Sequence, residues 1–600
     1  MSDTLPIMIG LQLSVLALAA LGFAEASNYG GLYQIAPPMK PLLENAGTPQ
    51  LFPMPECGGI QLEEATIEEM QRAMESGRLT SVQLVSCYRA RTLQTQPYLA
   101  SLMQENVDVF AIAQASDDYR AKYREAKNRE MLKKPGPLHG IPFTVKDNMA
   151  TNDNMETTAG SLALLGSRPS RDATVVQRLR DAGAVLFGKA AMSEWADMRS
   201  SDYSEGYSAR SGQCRSAYNL QVNPGGSSSG SAVAVAANAI AFSLGTETDG
   251  SVINPAMRNS IVGFKPTVGL TSRAGVVPES EHQDSVGTFG RTVKDAVLVL
   301  DAIHGSDPAD NYTTAKNRRV PVGGYTQFIS TKHALKGKKF GVPINSLWNF
   351  TDSETRAHLT LLCTEIKMVG GACEATEVKG WNKLVSAKDW DWDYDPEGGN
   401  RTGGKRSPLT YIKVDFYNNL QKYLRGVTNT MIRSVEDVIE FNKANGAEGG
   451  NPGIHPAFAS GQDNFEASVA TKGTMGSDYY SALGRQDEAR RAIDSALRKG
   501  DKNGEFEALI VPLEPGQSYE LAAQAGYPMV TVPLGVHERS GMGIGAGLMQ
   551  TAWGEEKLVR WASAIEHLLR TSQSEHFNKR PLPMWHGYLQ AKIPVPFKDP

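Results

Sequence analysis

The chain has 600 residues, 41% hydrophobic and 21% charged, the composition of an ordinary folded protein, which excludes a disordered or collagen-like chain. Sixty-one Lys and Arg stand against 65 Asp and Glu, a formal charge of −4, so no global basic field points to nucleic acid or to a membrane surface. Five cysteines exclude a disulfide scaffold, and 58 Gly with 32 Pro raise the question of whether the glycines serve linkers, turns or a site.

Residues 7–24 are almost continuously apolar and run into Ala24-Glu25-Ala26, an A-x-A pattern suited to signal-peptide cleavage before Ser27. The leader Met1-Ser2-Asp3-Thr4 carries no Lys or Arg, so a retained anchor or a buried helix over 7–24 stays open beside a cleaved signal. The expected organisation is a signal peptide at 1–26, an extension at 27–65, one large domain over 66–570 and a tail at 571–600. No later apolar run reaches the roughly 18 residues that spanning a bilayer needs. Asn-x-Ser/Thr triplets at Asn311, Asn349 and Asn400 agree with a secretory route, although such triplets also arise by chance. Cys57, Cys87, Cys214, Cys363 and Cys373 are an odd set, so at least one is unpaired within the chain; Cys363 and Cys373 flank a turn and could pair in a secreted protein. No C-x-x-C or His-rich cluster suggests a metal.

From Thr66 onward the pattern alternates between helix and strand. Thr66-Ile67-Glu68-Glu69 is a capping-box signature whose helix ends at Gly77, and a second helix starts near Ser81. Phe143 to Val145 reads as a buried strand with a lysine at its end. Residues 172–180 form an amphipathic helix closed by Gly183, and Ala184-Val185-Leu186-Phe187 follows as a strand. Similar helix–Gly–strand units recur near Gly371 and at Ala508-Leu509-Ile510-Val511. Such alternation predicts an α/β fold with a largely parallel or mixed sheet covered by helices. An insertion is expected at 381–408, where Asp389 to Asp395 alternates acid and aromatic. Counted from Asp389, Tyr394 and Asn400 stand where a calcium loop needs Gly and Glu, so this stretch reads as a surface loop, expected at a pocket rim.

The most informative segment is Pro224-Gly225-Gly226-Ser227-Ser228-Ser229-Gly230-Ser231. A flexible linker would not run into Ala232-Val233-Ala234-Val235-Ala236-Ala237, a run suited to a buried helix whose N-terminus presents the Gly/Ser loop to a site. No Lys follows the glycines, which excludes a P-loop. Downstream, Gly245-Thr246-Glu247-Thr248-Asp249-Gly250-Ser251 places a serine after a turn whose successive N–H groups can converge on one point, as an oxyanion hole requires. The third segment is Gly136-Pro137-Leu138-His139-Gly140-Ile141-Pro142-Phe143-Thr144-Val145-Lys146-Asp147. Its lysine is either a solvated strand end or, desolvated, a neutral amine able to accept a proton.

Together, and with Gly263-Phe264-Lys265-Pro266-Thr267, these segments resemble the amidase signature family of Ser–Ser–Lys hydrolases; the Ser227-to-Ser251 separation is also the one that family uses. The resemblance runs from about residue 66 to about 569. Thr157-Thr158-Ala159-Gly160-Ser161, Ser193-Glu194-Trp195 and the Gly245–Ser251 segment look closest to its peptide-amidase-like branch, and the apparent signal suggests a secreted, fungal-type eukaryotic member. The resemblance implies that Ser251 is the nucleophile, Ser227 a bridging serine in a cis peptide linkage and Lys146 the base. It implies an oxyanion hole of the Thr248, Asp249, Gly250 and Ser251 N–H groups, and neither metal nor organic cofactor. Much of the family has Gly where this chain has Asp249, and Arg where it has Asn254.

The expected chemistry is hydrolysis of carboxamides, C-terminal peptide amides among them, through a serine acyl-enzyme, with the pocket shaped by Met192, Trp195, Ser228 and residues 202–213 and 381–423. Three alternatives remain. Gly226-Ser227-Ser228-Ser229-Gly230 fits the G-x-S-x-G elbow of α/β-hydrolases with Ser228 as nucleophile, but 216–224 reads as a polar loop, and His455, His537 and His567 sit in no convincing motif. An ammonia-releasing glutamine amidotransferase component shares the family, but the apparent signal argues against it. A binding protein on the same scaffold would not need all three chemical residues. Neither oligomeric state nor substrate preference is readable.

Overall fold

The computed structural model describes residues 48–314, 320–396, 405–445, 450–498, 504–574, 577 and 580–586. The apolar stretch 7–24, the triplet at Asn400 and most of the tail lie outside the described residues.

The chain is built around a mixed sheet of eleven strands. In chain order they are β1 (Leu102–Glu105), β2 (Pro142–Lys146), β3 (Val185–Ala190), β4 (Phe242–Glu247), β5 (Val262–Lys265), β6 (Ser285–Gly290), β7 (Lys339–Val342), β8 (Ala372–Ala375), β9 (Leu509–Pro512), β10 (Met529–Val536) and β11 (Gly543–Met549). Their order across the sheet is β1-β3-β2-β4-β6-β5-β10-β11-β9-β7-β8. β2 lies between β3 and β4 and is parallel to both, whereas β4, β6, β5, β10 and β11 pair antiparallel in succession. Buried on both faces, the β2–β3–β4 group reads as continuous runs rather than as polar–apolar alternation.

The expected local signals operate. Thr66 caps helix Ile67–Glu75 with the full capping box to Glu69, and the next helix spans Ser81–Leu99. Helix Thr174–Asp181 and β3 form the expected helix–Gly–strand unit. Helix Ser229–Ala236 is buried along its whole length. A Cβ at Gly230 would lie 2.3 Å from the Ser101 carbonyl oxygen and 2.5 Å from the Ala191 nitrogen, so this helix meets the β1–β3 edge backbone to backbone, an approach that only glycine permits.

Two disulfides join Cys57 to Cys87 and Cys363 to Cys373, leaving Cys214 as a buried thiol. Among the described residues no helix is long and apolar enough to cross a membrane.

Candidate active site

Lys146 stands at the C-terminal end of β2 and is completely buried. Its Nζ lies 2.8 Å from Ser227 Oγ, 2.9 Å from Thr246 Oγ1 and 3.3 Å from the Thr246 carbonyl oxygen. Burial pushes the ammonium down to about 8, against the opposing pull of Glu279, Asp197, Glu205 and Asp284. Directly after it, the Asp147 carboxylate accepts the N–H groups of Thr158 and Gly160 at 3.2 and 3.1 Å, so the Thr157–Ser161 segment anchors the loop that follows β2. A second buried lysine, Lys189 on β3, donates instead to Thr157 Oγ1 and the Met149 carbonyl, and faces no serine.

Ser227 precedes helix Ser229–Ala236, and the Gly226–Ser227 peptide is cis. Its Oγ donates to Ser251 Oγ at 2.9 Å across 24 positions of chain, so Lys146, Ser227 and Ser251 form a continuous line of hydrogen-bonding atoms. Ser251 ends the turn after β4. Behind that turn the Glu247 carboxylate accepts the Val252 and Ile253 N–H groups at 2.8 and 2.9 Å. In front, Thr248 donates its hydroxyl to Asp284 at 2.6 Å and its carbonyl accepts from Gln283. Gly250 has a φ of +82°, and a Cβ there would lie 2.6 Å from the Tyr519 ring, so the turn requires glycine on both counts.

A cavity of about 300 Å³ opens over Gly226, Asp249 and Gly250 and is walled by Tyr203, Trp390 and Tyr519. The Trp390 Nε1–H donates to Asp249 Oδ1 at 3.1 Å, which joins the 381–408 stretch to the turn before Ser251. Burial pushes the Asp249 carboxyl up to about 8; the Trp390 bond opposes it and the Glu247 charge adds to it. Another cavity, of about 510 Å³, lies around Arg273, Tyr312 and Lys422; it is the 300 Å³ cavity that has Gly226 and Gly250, the chain neighbours of Ser227 and Ser251, in its wall.

Hydrogen bonds bring the expected Lys146, Ser227 and Ser251 together, and the adjoining cavity is lined by Asp249 and Gly250 of the turn and by both loops expected at the pocket, through Tyr203 and Glu205 and through Asp389 and Trp390. Of the expected substrate contacts, Ser228 stands beside Ser251, its N–H donating to the Ser251 carbonyl at 3.3 Å, whereas Met192 and Trp195 pack into the core. None of the three lines the cavity. Met192 and Trp195 are core residues, the indole packing edge-on against Phe416 and Phe465. Ser228 donates to the Thr246 carbonyl at 3.0 Å and accepts the Thr246 N–H, and no strand precedes it over 216–224, so it lacks the setting of a nucleophile elbow. His455 contacts Tyr207 and His537 contacts Glu354, while His567 lies in the last turn of helix Glu555–Arg570.

Thr246, which holds Lys146, is not singled out by the sequence pattern although it lies inside the Gly245–Ser251 segment. Asp197, Glu205 and Tyr519 carry no sequence signal. In the acid–aromatic stretch, Asp393 accepts from Ser407 and Asp395 from the Lys405 and Arg406 N–H groups, so these acids bind the entry to helix Pro408–Leu424. Two acid–histidine groups, Glu281/His282/Asp415 and Asp352/Glu354/His537, include none of the three residues.

Residues 86–378 match the family model described as Amidase. The Schizosaccharomyces pombe protein named "Putative amidase C869.01" is 48% identical over 554 residues, covering 91% of each chain. A glutamyl-tRNA(Gln) amidotransferase component from Moorella thermoacetica is 29% identical, over 78% of this chain and 89% of that one. The structure of native peptide amidase from Stenotrophomonas maltophilia superposes with a TM-score of 0.72 at 35% identity, over 86% of this chain and 99% of that one, and shares the large mixed sheet.

Proposed function

Since the chain belongs to the amidase family and is an amide-hydrolysing enzyme, we propose that it cleaves carboxamide C–N bonds through an acyl-enzyme on Ser251, with Ser227 as relay and Lys146 as base. The observation that carries this reading is the line Lys146 Nζ–Ser227 Oγ–Ser251 Oγ, with steps of 2.8 and 2.9 Å. Serine needs a base at neutral pH, and a hydroxyl can donate and accept at once. Neutral Lys146 takes the Ser227 proton as Ser227 takes that of Ser251, and Ser251 Oγ forms a bond to the carbonyl carbon. The N–H groups of the Thr248–Ser251 turn hold the developing oxyanion, each such donor contributing about 3 kcal/mol. The relay then reverses and protonates the leaving nitrogen as the C–N bond breaks. Water, deprotonated by the same relay, releases the acid.

The preferred substrates are primary carboxamides, C-terminal peptide amides among them. Support comes from the likeness to the peptide amidase structure and from the segments Thr157–Ser161, Ser193–Trp195 and Gly245–Ser251, which in sequence resemble the peptide-amidase-like branch. The amidotransferase reading ranks below this, as its relative is more distant. The enzyme is a secreted, fungal-type member, a reading supported by the apolar stretch 7–24, by two disulfides and by the exposed Asn311 and Asn349 triplets. Turnover of primary amides, peptide amides, anilides, esters and carbamates by wild type and by Ser251→Ala tests the assignment. Amide release by wild type alone is expected; equal release by Ser251→Ala would overturn it.

A further inference from the structure

The cavity above the Thr248–Ser251 turn carries more acid than its own chain neutralises. Asp197 and Asp249 both line it and are 7% and 8% exposed, and Asp197 Oδ1 and Asp249 Oδ2 are buried without a hydrogen-bond partner. Glu205, also in the wall, accepts from Ser193 at 2.6 Å. The wall holds one cation, Arg258, among the acids Asp197, Glu205, Asp249, Asp389 and Glu514. Arg258 is drawn to Glu514 at 2.8 Å and to the Asn223 carbonyl at 2.7 Å, and Lys146 gives its hydrogen bonds to Ser227 and Thr246. Buried acceptors left unpaired are costly, and an ammonium group offers three donors to meet them.

We propose that this cavity selects amides that carry a protonated amine, with the Asp197 and Asp249 carboxylates receiving the ammonium while the amide carbonyl faces Ser251. The inference rests on the amide-hydrolase reading and names the substrate class for it. The backbone supports it independently: Trp195, Ala196 and Asp197 take φ values of 53°, 54° and 83°, three successive non-glycine residues in the left-handed region, the last of them the one whose side chain lines the cavity. Such conformations persist where the surroundings enforce them, commonly at binding sites. Burial pushes Asp249 up to about 8 and Asp197 well above the usual carboxylate range, so each carboxyl tends to keep its proton until a cation arrives beside it.

The test compares kcat/KM for 6-aminohexanamide, hexanamide and the half-amide of hexanedioic acid, and for the shorter pair 3-aminopropanamide and propanamide, in wild type, Asp197→Asn and Asp249→Asn. Wild type is expected to favour the ammonium member of at least one pair about tenfold and to use the carboxylate least, and Asp197→Asn to remove most of that preference. Binding of the same probes to Ser251→Ala should show the same order without turnover. Equal or better use of the neutral amide in both pairs, or a preference unchanged in both Asp variants, would overturn the proposal. Failure of the underlying reading looks different: no amide of any charge is hydrolysed, and this inference falls with it.

Discussion

Lys146 Nζ lies 2.8 Å from Ser227 Oγ although the two residues are 81 positions apart, one at the end of a buried strand and the other in the loop before a buried helix. Thr246 fixes the amine from a second side. Burial brings its pKa down to about 8, so a usable fraction of the amine is neutral near ordinary pH, and that makes it usable as a base.

The pH dependence follows from that environment. Only neutral Lys146 can accept a proton, and burial brings its pKa down to about 8. Activity therefore rises with pH, and a plot of kcat/KM for a neutral amide should climb through a midpoint of about 8 and then level. A profile already flat between about pH 6 and about pH 9 would contradict the assignment of the base.

Replacing the relay residues should have unequal effects. Lys146→Ala should retain less than about a tenth of the wild-type rate, since general-base catalysis supplies roughly 10²–10⁴-fold. Ser227→Ala should slow turnover severely without wholly abolishing it. Single-turnover rates on folded variants provide the check, and a Lys146→Ala enzyme near the wild-type rate would remove the amine from the mechanism.

Trp390→Phe keeps most of the ring but removes the donor to Asp249. A hydrogen bond of this kind contributes about 0.5–1.5 kcal/mol, so kcat/KM should fall by about two- to twelvefold. Unchanged kinetics would show that the 381–408 stretch does not support the turn before Ser251.

Gly230→Ala tests packing rather than chemistry. The added methyl group would meet the Ser101 and Ala191 backbones at 2.3 and 2.5 Å. Overpacking of this type costs about 1–3 kcal/mol, so the melting temperature should drop measurably. A wild-type melting curve would mean that the helix can move away from the sheet edge.

How far the sequence is readable depends on whether a residue's task leaves a local mark. The Gly/Ser segment and the Gly245–Ser251 segment do, because a helix start pressed against a sheet edge and a turn at positive φ both demand small residues, as Gly230 and Gly250 show. The Cys363–Cys373 bridge spans one turn and could be anticipated; Cys57–Cys87, which joins residues 30 positions apart, could not. Met192 and Trp195 are expected at the pocket from their position beside the motifs. The left-handed run Trp195–Asp197 redirects the chain there, so the indole packs with Phe416 and Phe465 while Asp197 lines the cavity. No glycine announces that run, and burial of an acid without a partner follows from tertiary packing that no local pattern records.

The most direct measurement is the site of covalent capture by a serine-directed sulfonyl fluoride, read by peptide mass mapping of the inactivated wild-type enzyme. The account predicts one adduct, on Ser251, appearing in step with loss of amide hydrolysis. An adduct on Ser228, or full inactivation with Ser251 unmodified, would contradict it.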